Sequence, residues 1–185
     1  MQKQQAQLWG FRVHHILLSL AFWLVGFALT FALNAATAPM QPTTSNASFN
    51  LNGVSLFHSN NVFLFILINN CIVALILSLG GYFTGGLLTL VFNIWNGVVF
   101  GLIFQVAFRY IPDKLWIIFL YGPVELLAFA QFSAFGLEGF ANVKRIIKSQ
   151  PLQVALSRST ILRLRIPLVL LILAAILEAL TTKLH

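Results

Sequence analysis

Glu125 stands well inside a long apolar run, within Tyr121-Gly122-Pro123-Val124-Glu125. A carboxyl in hydrocarbon is costly, so such residues usually face other helices or a cavity and mark a functional site. No basic residue lies at similar depth in the sequence. The carboxyl must therefore be protonated or held by amides, for which Asn69, Asn70 and Asn96 are the candidates. Pro123 removes a backbone donor and its ring clashes with the preceding turn, which predicts a kink or break. Glu125 then falls in the first turn of the following half-helix, where the dipole and free N–H groups favour a carboxylate. Two roles stay open: a proton or substrate site at a broken helix, or a structural hydrogen-bond hub.

Other polar residues share this apolar setting. Asn69-Asn70 lies near the middle of one run. In the next, Thr89, Asn93, Gly97 and Gly101 recur every four residues and so lie along one helix face, flanked by Asn96. Gly97 and Gly101 form a small-xxx-small pair that lets two helix backbones approach closely, and Gly81 and Gly85 repeat the spacing. With Gly122 and Pro123 these glycines form the expected helix-packing set. Tight packing with cross-helix amide hydrogen bonds is the first expectation, and a polar transport path is the alternative. Catalysis is not expected. Glu138 and Glu178 lie near the ends of apolar runs, which leaves no paired carboxylates. No Ser/His pairing or His-Glu metal motif lies at membrane depth either. No cofactor or metal site is expected, and Cys71, the single cysteine, reads as a packing residue.

The elements that must position these residues follow from composition. Of 185 residues, 59% are hydrophobic and 8% are charged. A soluble domain carries about a quarter charged residues, so this chain cannot coat a water-facing surface. Runs of ~18 or more apolar residues read as membrane helices. The expectation is an all-α, polytopic transmembrane bundle forming one domain over residues 1–185. Its spans are placed at about 13–35, 61–80, 87–108, 115–140 and 166–180, the fifth close to the minimum length. The first apolar run exceeds the ~7–15 residues of a signal-peptide core and is expected to stay as a span. Residues 36–60 are polar but uncharged and read as a loop.

The formal net charge of +7 comes from Lys and Arg clustered beside apolar runs. Such clusters suit topology signals and lipid headgroups rather than nucleic acid. The most basic segment, 142–165, carries Lys144, Arg145, Lys148, Arg158, Arg163 and Arg165 among apolar residues, a pattern of interfacial amphipathic helices. Placing it inside puts the N-terminus in the cytoplasm of a cell-membrane protein.

The central block, about Asn60 to Gly139, resembles the stage II sporulation protein M family. The residues that carry the likeness are Asn69-Asn70, the glycine hinge leading to Gly86-Leu87-Leu88-Thr89, Asn96-Gly97 with Gly101, and Gly122-Pro123-Val124-Glu125-Leu126-Leu127-Ala128. Tyr121 stands where the family pattern has histidine. The resemblance implies a non-enzymatic membrane component. Sporulation members anchor cell-wall hydrolases, and others accompany ATP-binding transport subunits, including sets for circular bacteriocins. The implied partners are other membrane proteins, an ATP-binding subunit or further copies of the chain. The chain has no ATP-binding Gly-rich loop of its own.

Overall fold

A computed structural model describes residues 7–8, 11–36, 62–110, 112–148 and 162–183. The loop expected at 36–60, from residue 37 on, and the centre of the basic segment, 149–161, lie outside them. A short antiparallel pair, β1 (Gln7–Leu8) and β2 (Phe11–Arg12), precedes helix α1 (Val13–Ala36). Then follow α2 (Val62–Leu75), a π-helical turn (Ile76–Gly80), the short α3 (Gly81–Phe83) and α4 (Leu87–Tyr110). A 3₁₀ turn (Pro112–Lys114) leads into α5 (Leu115–Ile147), and α6 spans Arg165–Lys183. The fold is an all-α helical bundle.

Among the described residues four stretches are long and apolar enough to cross a membrane: Val13–Leu33, Phe63–Phe83, Leu87–Tyr110 and Leu115–Ala141. The second runs past its expected end at residue 80, because the π turn continues the helix through Gly80 and Gly81, both with helical dihedrals. Helix α6 has 19 residues, longer than the expected 166–180. At ~1.5 Å per residue it is about 28 Å long, near the hydrocarbon thickness of about 30 Å. Helix α5, with 33 residues, is about 50 Å long and overshoots that thickness.

Pro123 does not break α5, contrary to the sequence expectation. A proline ring clashes with the Cβ of the preceding residue, and Gly122 has none. Membrane helices also tolerate proline where neighbouring helices and side chains satisfy the freed groups. Glu125 therefore sits inside a continuous helix, without the free N–H groups of a helix start.

Helices α1 and α4 form the closest seam. A Cβ on Gly97 would run into the Trp23 carbonyl, and one on Gly26 into the Ile94 carbonyl. Each helix thus lends a glycine to the other's backbone. Thr30, 2% exposed, shares its hydroxyl between the Gly26 and Val98 carbonyls, each at 3.2 Å. Trp23 and Phe27 flank the seam against Phe100, with centroids 5.1 and 6.1 Å apart. The α3–α5 contact uses the same device, since Gly136 and Gly139 lie against the Leu77 and Tyr82 carbonyls.

At one end of the bundle, Glu138 of α5 holds Arg163 through two hydrogen bonds of 3.0 and 3.1 Å. The guanidinium also lies 5.4 Å from the Phe11 ring centroid. Phe11 packs in a cluster with Ile16, Tyr82 and Phe135. This clamp joins the start of α1, α3, the far part of α5 and the approach to α6. Beyond it α5 carries the exposed Lys144 and Ile147, and the exposed Lys148 follows its last residue.

Steric exclusion outweighs hydrogen bonding at the α1–α4 seam. Overpacking costs roughly 1–3 kcal/mol or more, whereas a cross-helix hydrogen bond in a membrane is worth roughly 0.6 kcal/mol. Gly97→Leu should therefore lower the unfolding temperature in detergent sharply, and Thr30→Val only slightly. Thermal unfolding of both variants checks this, and a Gly97→Leu protein as stable as the parent would mean that the seam does not form.

Candidate functional site

The polar residues of the spans divide into two groups. One group holds helices together. Thr89, fully buried, donates to the Leu77 carbonyl at 2.8 Å, tying α4 to the π turn. Ser133 donates to Asn93 Oδ1 at 3.1 Å, tying α5 to α4. Gly97 and Gly101 face α1, and Gly81 lies under Thr89 and beside Gly136. The periodic stripe on α4 is therefore a packing surface along its whole length.

Three residues of the expected packing set do other work. Gly85 lies in the turn between α3 and α4 with φ of 64°, and Gly86 follows at 88°. These left-handed values favour glycine. Thr84 completes that turn by accepting a hydrogen bond from the Leu88 N–H at 3.1 Å. Pro123 is exposed. Gly122 is buried, but a Cβ there would only make ordinary contact with Phe100 at 3.5 Å, so no close backbone approach depends on it.

The second polar group lines a cavity of about 390 Å³ between α2, α4, α5 and α6, with Trp23 of α1 in its wall. Asn69 and Asn70 come from α2, Asn96 from α4, Tyr121 and Glu125 from α5, and Glu178 from α6. Helical spacing explains the division. Asn96 lies one position before Gly97, so it turns away from the α1 seam that Gly97 occupies and toward α2 and α5. Asn69 Nδ2 donates to Asn70 Oδ1 at 3.4 Å. Asn70 is 4% exposed and its amide lies beside the Glu125 carboxyl, yet no hydrogen bond of ordinary length closes on its Nδ2. The Nδ2 of Asn96 is likewise buried and unpartnered.

The sequence placed Glu178 at a span end, apart from Glu125. The bundle brings the two together in one cavity, with Tyr121 close to both. The reason is direction: α5 and α6 run antiparallel from their joined end at Glu138 and Arg163, so residues well before Glu138 meet residues well after Arg163. A signal was present, since Glu178 follows Leu171, Ala174 and Ala175 on the buried face of α6 at helical spacing. Gly26, Thr30, Ser133, Gly136 and Gly139 were also passed over. Each is a small residue whose partner is a backbone or side chain on another helix, and such pairing is invisible along one chain.

Toward the clamped end the cavity is closed by an apolar cluster of Ala74, Leu77, Ala128, Phe132 and Leu171. Along α2, α5 and α6 the order is the same: cavity residues, then this cluster, then the clamp. None of the described lining residues is basic. The arrangement can gather positive charge or hydrogen-bonding groups.

Substitution at Glu125 separates support from function. Gln keeps the shape but not the charge, while Ala removes the packing of a half-buried side chain and leaves a void beside Asn70. Glu125→Ala should lower thermal stability in detergent and Glu125→Gln should leave it near the parent. Equal stability of the Ala variant and the parent would show that the carboxyl supports nothing around it.

The family described as Stage II sporulation protein M matches this chain over residues 15–183. No curated protein and no solved structure matches it. The match reaches well beyond the central block that carried the resemblance, taking in nearly all of α1 and the whole of α6, and with them Trp23 and Glu178 of the cavity. Over most of its length, therefore, this membrane bundle belongs to the stage II sporulation protein M family.

Proposed function

We propose that the chain is a non-catalytic integral subunit of a multi-protein complex in the cell membrane, a scaffold or accessory component. Its N-terminus and the basic segment face the cytoplasm. The observation that carries this reading is the extension of α5. The apolar stretch ends at Ala141, but the helix continues to Ile147, with Lys144 exposed on it and Lys148 exposed just after its end. The Glu138–Arg163 pair ties its base to the segment just before α6. A held, basic, partly apolar helix end suits an acidic partner at the membrane surface, in keeping with the anchoring role that the resemblance implies.

A second reading has its own support. The polar cavity favours a permease-like subunit, working with a separate ATP-binding subunit in export or immunity. Closure of the cavity toward the clamped end fits one state of an alternating pathway.

Charge reversal on the extension tests the first reading. The tagged chain, extracted in mild detergent from its native membrane, should migrate in a complex larger than its own oligomer. Lys144→Glu with Lys148→Glu should dissociate that complex and leave thermal stability unchanged. Parent and variant both running as the isolated chain would refute the scaffold role. An ATP-binding protein among the cross-linked partners would select the second reading.

A further inference from the structure

The cavity's chemistry specifies a ligand more narrowly than the transport reading on which this inference rests. Glu125 and Glu178 face one space walled by Trp23, Phe65, Phe100 and Tyr121. Two carboxyls lining one cavity repel when charged, and a cation between them removes that repulsion. Aromatic faces attract cations as well, and do so most strongly when the cation is desolvated. Among the described residues no group of three or more His, Cys, Asp or Glu that could hold a metal ion occurs, while rings and amide N–H groups share the wall with the two carboxyls. The independent observation is Asn70. It is almost fully buried and lines the cavity, and its Nδ2 lies beside the Glu125 carboxyl without closing a hydrogen bond of ordinary length. Asn96 Nδ2 repeats the pattern from α4. Buried donors without partners are costly, and they call for an acceptor atom on whatever fills the space.

We propose that the cavity binds a small organic ammonium ion whose charge sits at Glu125 and Glu178 and whose tail carries an acceptor oxygen for the amides of Asn70 and Asn96. The volume of about 390 Å³ sets the scale. It lies at the low end of the ~300–1,000 Å³ typical of ligand sites, so the ligand is a small amine or the headgroup part of a larger lipid. Side access supports both sources, since Phe65 and Phe119 of the lining are exposed on the outside of the bundle.

The full chain in phosphatidylglycerol nanodiscs, titrated with butyrylcholine and read by calorimetry, tests the proposal. Butyrylcholine carries both the ammonium and the ester oxygen. Saturable binding is expected, and the uncharged carbon isostere 3,3-dimethylbutyl butanoate should not compete. Glu125→Gln should weaken binding by at least about tenfold, the loss expected when one of the charges facing a desolvated cation is removed, and Glu178→Gln should do likewise. The isostere comparison needs only the parent protein, so a variant that fails to fold does not blunt the test. Equal binding of the isostere, or no saturable binding of butyrylcholine, would overturn the proposal. Repeating the titration with phosphatidylethanolamine in the nanodisc distinguishes the sources. Weakened binding identifies lipid headgroups as occupants, and unchanged binding identifies soluble amines. The titration uses the isolated chain, so failure to find an ATP-binding partner would remove the transport reading without altering this result.

Discussion

In hydrocarbon there is no water to satisfy a polar group, and the bundle is organised around that constraint. Thr30, Thr89 and Ser133 all direct their hydroxyls at groups on another element of the bundle. Because lipid tails are as apolar as leucine, these contacts gain little from the hydrophobic effect and depend on close packing. Glycine supplies the closeness. Gly26 and Gly97 bring α1 and α4 together, and Gly136 and Gly139 bring α5 against the π turn and α3. Those contacts set how α4 and α5, which carry Asn96 and Glu125, sit in the bundle.

The cavity departs from this economy. Close packing is abandoned where α2, α4, α5 and α6 meet, and the residues left there include two carboxyls, a phenol and three amides. A structure built only for rigidity would fill such a space with apolar side chains, as the neighbouring cluster of Ala74, Leu77, Ala128, Phe132 and Leu171 does. The contrast within a few turns of the same helices separates a close-packed region from a polar cavity.

Much of this was legible along the chain. The apolar runs marked the helices, and the four-residue recurrence from Thr89 to Gly101 marked a packing face, because helix geometry places such residues together. Asn69, Asn70, Asn96 and Glu125 were recognisable as costly residues and do share one site. The misreadings have physical causes. Pro123 suggested a break because local sterics predict one, but Gly122 removes part of the clash and the bundle supports the helix. Glu178 looked peripheral because its distance from a helix end says nothing about which helix it faces. Pairing across α5 and α6 is tertiary information, set by the antiparallel return after the Glu138–Arg163 clamp.

The central claim is that Glu125 and Glu178 face each other across one cavity inside the membrane bundle. Paired cysteines test it most directly. In a Cys71→Ala background, Glu125→Cys combined with Glu178→Cys should be bridged within a single chain by a short bifunctional thiol reagent in native membranes. Glu138→Cys with Arg163→Cys serves as the positive control at the clamped end. Bridging of both pairs is the predicted result. Bridging of the control alone, with the 125 and 178 thiols each reacting but never linked, would contradict the account.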